Sequence, residues 1–109
     1  MTINDPFDPR DISDLDSLVH SPTRLKILLV LMSVEEADFT FISQAADLTR
    51  GNLSANLSKL EEAGYVEIEK KFIERVPKTI VSITDLGEKA LEEYSNQLGP
   101  ILDALRKQS

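Results

Sequence analysis

The chain has 109 residues, 12 basic and 19 acidic, giving a formal net charge of −7 and a pI near 4.6. A composition of 41% apolar and 28% charged residues suits an ordinary folded domain, and the length suits one domain, not two. The absence of cysteine excludes disulfides, thiolate metal sites and cysteine nucleophiles, and a single histidine, His20, excludes a histidine cluster. The first ten residues lack the apolar stretch of a secretory signal, and the longest apolar run, 27–32, falls far short of the roughly 20 residues a membrane span requires. The chain reads as soluble and cytoplasmic.

Residues 1–10 read as a flexible, acidic arm, and 11–109 as a single domain. From Asp11 onward, Ile12, Leu15, Leu18 and Val19 recur at spacings of three and four, which predicts a short helix. Ser21-Pro22 is an N-cap followed by proline at the first helical position. The helix it opens, about 22–34, is apolar almost all round and belongs in the middle of the domain. Asp38 and Phe39 form a connection, and Thr40 caps a third helix that runs through Asp47 with Ile42, Ala45 and Ala46 facing inward. After a tight turn at Leu48-Thr49, Thr49 caps a fourth helix, about 50–63, with Gly64 as its left-handed C-cap.

The period then changes from helical to alternating. Val66 and Ile68 alternate with Glu67 and Glu69, and Thr79, Val81 and Ile83 alternate with Ile80 and Ser82. These are two strands of a hairpin whose tip spans Phe72 to Lys78. Thr84-Asp85 caps a final helix, which Gly99-Pro100 breaks or kinks before Ile101, Leu102 and Leu105 resume its apolar pattern. The fold class is mainly α with a small β-hairpin: a helix-turn-helix at about 40–63, a wing at about 65–84, and a terminal helix at about 85–107.

In the fourth helix Leu53, Leu57 and Leu60 lie within about 60° of one another at 100° per residue, so they face the core. The opposite face carries Gly51, Asn52, Ser54, Ala55, Ser58 and Lys59. Such small or polar side chains let a helix approach the floor of a DNA major groove, where Asn52 suits adenine, Lys59 guanine or a phosphate, and Ser54 and Ser58 either. Thr49 and the N–H groups of the first turn suit a phosphate, and Arg50 grips the backbone. Charge supports this in an otherwise acidic chain. Within 49–60 and 70–78 stand six bases (Arg50, Lys59, Lys70, Lys71, Arg75 and Lys78) with Glu74 as the only acid. A local excess of that kind is the footprint of a phosphate-contacting surface.

The segments HSPTRLKILLVL (20–31), DLTRGNLSANLSKLEEAGYVEIEK (47–70) and VPKTIVSITDLGEKAL (76–91) resemble winged-helix transcription regulators of the MarR/ArsR-like kind, especially their small single-domain members. The resemblance implies a homodimer built by terminal helices, and regulation of transcription from double-stranded DNA. The apolar pattern points the same way, because Ile12, Leu15 and Leu18 at one end and Leu91, Tyr94, Leu98, Ile101, Leu102 and Leu105 at the other exceed what a small winged domain can bury. Two recognition helices must also stand about 34 Å apart to read successive turns of DNA. Metal-sensing relatives use Cys and His clusters, which this chain lacks.

No nucleophile stands beside a base, and His20 has no partner at triad or metal-ligand spacing, so neither catalysis, a metal nor a cofactor is indicated. An effector pocket among Phe39, Phe41, Phe72 and Tyr94 stays open, although those residues are more simply core and rim. The reading from a different class is a winged-helix protein-interaction module that does not bind DNA. The net charge favours that module; the basic patch and the polar helix face favour DNA.

Overall fold

The structure, a computed structural model, describes residues 8–108. Most of the expected arm therefore lies outside the described residues. Its last three residues enter a 3-10 helix, Pro9–Asp14, with Asp8 as N-cap. Four α-helices and three strands follow: α1 (Pro22–Met32), β1 (Ala37–Asp38), α2 (Phe39–Ala45), α3 (Arg50–Glu62), β2 (Val66–Ile73), β3 (Val76–Ile83) and α4 (Asp85–Gln108). The sheet is antiparallel in the order β1-β3-β2.

The short helix expected from Asp11 does not extend through Val19. Asp16 prevents it, because its Oδ1 accepts from the backbone N–H groups of Leu18 (2.9 Å) and Val19 (3.3 Å). An aspartate that captures its own downstream backbone competes with the helix. Leu15 and Val19 still reach the core, while Ile12 is exposed.

Ser21 caps α1 as expected, its hydroxyl accepting from the Arg24 N–H at 3.3 Å. The helix is not buried all round, however. Ile27, Leu28 and Leu31 face the core, whereas Leu29 is 60% and Met32 49% exposed. At α2 the cap is Asp38 and not Thr40: its carboxylate accepts from the Phe41 N–H at 2.7 Å, and the preceding residues Ala37 and Asp38 pair with β3 as a short strand. The helix therefore starts two residues earlier than expected, and Ile42 and Ala46 are buried while Ala45 is exposed.

Two helices end in the same way. At the end of α3, Tyr65 N–H reaches the Leu60 carbonyl and Gly64 N–H the Glu61 carbonyl, both at 2.9 Å, with Gly64 at φ 81°. This is a Schellman cap, and glycine supplies the left-handed residue without strain. At the end of α2, Leu48 N–H reaches the Ser43 carbonyl at 2.9 Å and Asp47 takes the left-handed position at φ 53°. That cap makes the turn of the helix-turn-helix.

The hairpin is longer and tighter than expected. Ile73 pairs with Val76, leaving only Glu74 and Arg75 as the turn, at φ 51° and 68°. Two consecutive left-handed residues define a type I′ turn, which matches the twist of the strands but costs a non-glycine residue about 1–2 kcal/mol. Pro77 sits inside β3 opposite Phe72. Because the ladder alternates, Phe72 and Pro77 form a non-hydrogen-bonded pair, so proline's missing N–H removes no bond to β2.

The core unites all four α-helices and the sheet: Val19, Ile27, Leu28, Ile42, Leu53, Leu60 and Val81 are fully buried, and Ala90, Tyr94 and Ile101 of α4 join the same cluster. The last helix is not broken at Gly99-Pro100 but runs through it. Pro100 offers no N–H to the Asn96 carbonyl one turn back, yet the flanking apolar contacts keep the helix continuous.

Candidate nucleic-acid interface

The turn held by Asp47 delivers the chain to Thr49, whose hydroxyl accepts from the Asn52 N–H at 3.1 Å and starts α3. Leu53, Leu57 and Leu60 are buried, as their spacing requires, which fixes which way α3 faces. Arg50, Gly51, Asn52, Ser54, Ala55, Ser58 and Lys59 are all exposed. Glu61 and Glu62 are exposed too, so the basic, small-residue surface ends with acid at the C-terminal turn.

Strand pairing divides the wing bases between two faces. Ile68, Lys70 and Phe72 alternate with Glu67, Glu69 and Lys71, and the register places Lys70 opposite Thr79 and Lys71 opposite Lys78. Lys70 and Thr79 line a cleft of about 260 Å3 between the wing and α3, together with Phe39, Arg50, Ser54 and Ser58. Arg75 stands at the turn itself, exposed. Lys71 and Lys78 lie on the other face, where the Lys71 ammonium is 3.7 Å from both Glu36 and Glu69. Of the expected DNA-binding residues, the structure thus gathers Arg50, Ser54, Ser58 and Lys70 around one cleft and separates Lys71 and Lys78 from it.

Arg50 is braced within this cleft, its guanidinium 4.7 Å from the centre of the Phe39 ring. The stacking orients the cation without neutralising it. Among the described residues, Lys59, Lys70, Arg75 and Lys78 make no ion pair. The side-chain network on α3 involves two residues the sequence reading did not include, Arg24 and Asn56. Arg24 reaches Asn56, and Asn56 reaches Asn52. An i, i+4 pair of asparagines on a helix face was the available signal; Arg24 on a separate helix offered none.

The root of the wing is tied to α4 through Thr84, whose hydroxyl donates to the Gly64 carbonyl at 2.6 Å and accepts from the Gly87 N–H at 3.0 Å. Gly87 has to be small, since a Cβ there would stand 2.2 Å from the Tyr65 carbonyl oxygen. Tyr65 in turn donates its hydroxyl to Asp16 Oδ2 at 2.5 Å. That bond, with burial and the negative charges of Asp16 and Glu93 adding to it, pushes the Tyr65 hydroxyl up to about 12.

The expected dimer surface is redistributed. Leu15, Tyr94 and Ile101 are buried in their own chain, and the Tyr94 hydroxyl lies 2.7 Å from His20 Nδ1. Leu91, Leu98 and Leu102 instead line a groove of about 640 Å3 with Leu25, Leu29 and Met32 of α1. The aromatic residues considered for an effector pocket stand in separate environments: Phe39 beneath Arg50, Tyr94 in the core, and Phe72 79% exposed on the wing. Among the described residues no helix is long and apolar enough to cross a membrane, and no group of three or more His, Asp or Glu is placed to hold a metal ion.

A helix-turn-helix followed by a two-stranded wing is the architecture of winged-helix regulators, and comparison with known proteins agrees. The chain matches the winged helix DNA-binding domain family over residues 23–102 and belongs to that family. It is 40% identical, over 77 residues, to the uncharacterized protein MJ0432 of Methanocaldococcus jannaschii, an overlap covering 71% of this chain and 84% of that protein. Among solved structures, a transcriptional regulator homologue from Pyrococcus horikoshii superposes with a TM-score of 0.81 at 31% identity, covering 88% of this chain and 97% of that one. The diamide-treated YodB of Bacillus subtilis shares the fold, with a TM-score of 0.70 at 21% identity over 86% of this chain and 91% of its own. The winged-helix resemblance carried by the sequence motifs is thereby borne out. Family and fold are those of DNA-binding transcriptional regulators.

Proposed function

We propose that this protein is a cytoplasmic homodimer that binds double-stranded DNA sequence-specifically and regulates transcription, most simply by occluding a promoter. In this reading residues 11–109 act as one winged-helix unit without catalysis, cofactor or metal. The observation that carries it is the cleft between α3 and the wing, where Arg50, Ser54, Ser58 and Lys70 converge beside exposed Asn52 and Lys59. Thr49 and the first turn of α3 take a phosphate, the exposed face of α3 enters the major groove, and Arg75 extends to the flanking backbone. Lys71 and Lys78 contribute through longer-range attraction.

Dimerisation rests on the α1–α4 groove. Its apolar lining, the small residues Ser95 and Gly99, and the open space around Gly99 suit close approach of the same helix from a second copy. Leu105, 60% exposed, continues that surface toward the end of α4.

The second reading, a protein-interaction module, is favoured by one observation: Phe72, Ile73 and Val76 are exposed together near the wing turn. The two readings part on a double substitution. Lys59→Ala with Arg75→Ala is expected to weaken binding to a cognate duplex about tenfold or more while leaving the dimer intact by sedimentation, since each base lost removes one phosphate contact. Unchanged DNA affinity in that variant would remove the site assignment.

A further inference from the structure

The side chain of Asn52 is held in one orientation by a chain of hydrogen bonds that begins on another helix. Arg24 of α1 is half-buried, and its Nε donates to the Leu18 carbonyl at 2.6 Å, which fixes the plane of the guanidinium. Its Nη1 then donates to Asn56 Oδ1 at 2.9 Å. Asn56 Nδ2 donates to Asn52 Oδ1 at 2.6 Å and to the Asn52 carbonyl at 2.9 Å. A guanidinium carries donors and no acceptor, so the Asn56 atom facing it has to be oxygen. The Asn56 nitrogen therefore faces Asn52, and the Asn52 atom facing back has to be oxygen as well. Arg24 thus sets the polarity of both amides. What Asn52 has left is Nδ2 with its two N–H donors, engaged by no hydrogen bond among the described residues, and one further lone pair on an Oδ1 that is held against Asn56.

This bears on which base Asn52 reads. Pairing with adenine needs both halves of the amide, Oδ1 accepting from N6 and Nδ2 donating to N7. Here Oδ1 is already drawn toward Asn56. Guanine presents two acceptors, N7 and O6, at its major-groove edge, and cytosine presents only a donor. We propose that Asn52 meets DNA as a hydrogen-bond donor and selects guanine, with Arg24 and Asn56 as the positioning residues that hold it in that role. The inference rests on the DNA-binding reading above and replaces adenine, the base that residue type alone suggests.

The test is a base-preference measurement: selection of bound duplexes from a randomised pool, followed by competition among the four bases at each site position. The position read by Asn52 is the one at which Asn52→Ala loses discrimination. There the wild-type protein is expected to prefer guanine over adenine by at least about fivefold, the lower end for a bidentate contact. Asn56→Asp keeps an acceptor for Arg24 but cannot donate to Asn52, and Asn56→Ala removes the link altogether. Both release Oδ1 and are expected to erase the guanine preference or turn it toward adenine. The added charge of the aspartate weakens binding to all duplexes alike and cancels in the ratio. A wild-type preference for adenine at that position would overturn the proposal. So would an unchanged guanine-to-adenine ratio in both Asn56 variants, or an Asn52→Ala variant whose preferences match the wild type everywhere. Wild-type protein that binds no duplex would instead overturn the DNA-binding reading itself.

Discussion

On α3 the exposed side chains that face the wing cleft are small, polar or cationic, and Arg50 and Asn52 are held in place by the Phe39 ring and by Asn56. Along the α1–α4 groove Leu29, Met32 and Leu102 are exposed and Leu98 half-buried, and the charged residues, Glu88 and Glu92, are both acidic. The two surfaces ask for different partners. Pre-oriented donors and cations suit an anionic partner that has edges to hydrogen-bond, while an apolar groove is relieved only by another apolar surface. On the reading proposed above, one chain with both binds DNA with one face and its own copy with the other. The joint between them is the wing root, where Thr84, Gly64, Gly87 and Tyr65 lock the sheet to α4.

The largest expected effect comes from removing one surface and watching the other. Leu98→Asp with Leu102→Asp is expected to yield a folded monomer by analytical ultracentrifugation. Its DNA affinity should fall by about a hundredfold or more, since two linked half-sites exceed one by that order. An intact dimer would show that the groove is not the contact.

Next in size is the joint. Gly87→Ala places a methyl group 2.2 Å from the Tyr65 carbonyl oxygen and forces the wing root away from α4. Urea denaturation should show a loss of about 1–3 kcal/mol. Unchanged stability would mean the two regions are less firmly coupled than the contact implies.

A smaller effect separates the two faces of the wing itself. Lys70→Ala should weaken DNA binding several-fold and reduce the salt slope by about 1.8, one phosphate contact in each protomer of the dimer. Lys71→Ala, already facing Glu36 and Glu69, should change that slope by less. Equal effects would remove the distinction between the faces.

The smallest effect is a pH dependence at the joint. The Tyr65 hydroxyl, ordinarily near 10, is raised to about 12 in the folded chain, first by its hydrogen bond to Asp16. The folded state therefore holds its proton where the unfolded state has released it. The resulting stability is complete below about pH 10 and fades as pH rises toward 12. In Tyr65→Phe the decline across that window should be shallower than in the wild type.

Much of this was legible in the sequence because it depends on local chemistry. Ser21-Pro22, Thr49 and Gly64 announce helix ends by residue type, and Leu53, Leu57 and Leu60 orient α3 by spacing alone. The errors occur where a side chain or a distant element decides. Asp16 ends the first helical pattern by binding its own backbone. Asp38 displaces Thr40 as a cap because β1 brings it to the start of α2. The near-complete apolar circumference of α1 predicts a central helix, but in so small a chain only part of that circumference is covered, which leaves Leu29 and Met32 exposed. On the wing, alternation was readable but the position of the turn was not: Glu74-Arg75 lacks the glycine or asparagine that usually marks a type I′ turn. Without that register, Lys78 could not be placed beside Lys71.

The central claim is most directly tested by fluorescence anisotropy on labelled duplexes from the DNA upstream of the protein's own coding sequence, titrated over salt. Arg50, Lys59, Lys70 and Arg75 of each protomer make eight contacts in a dimer, so the account predicts tight, sequence-dependent binding with a log–log salt slope near −7, at about −0.9 per phosphate. No binding at low salt, from protein shown to be folded and dimeric, would contradict it and leave the wing as a surface for another protein.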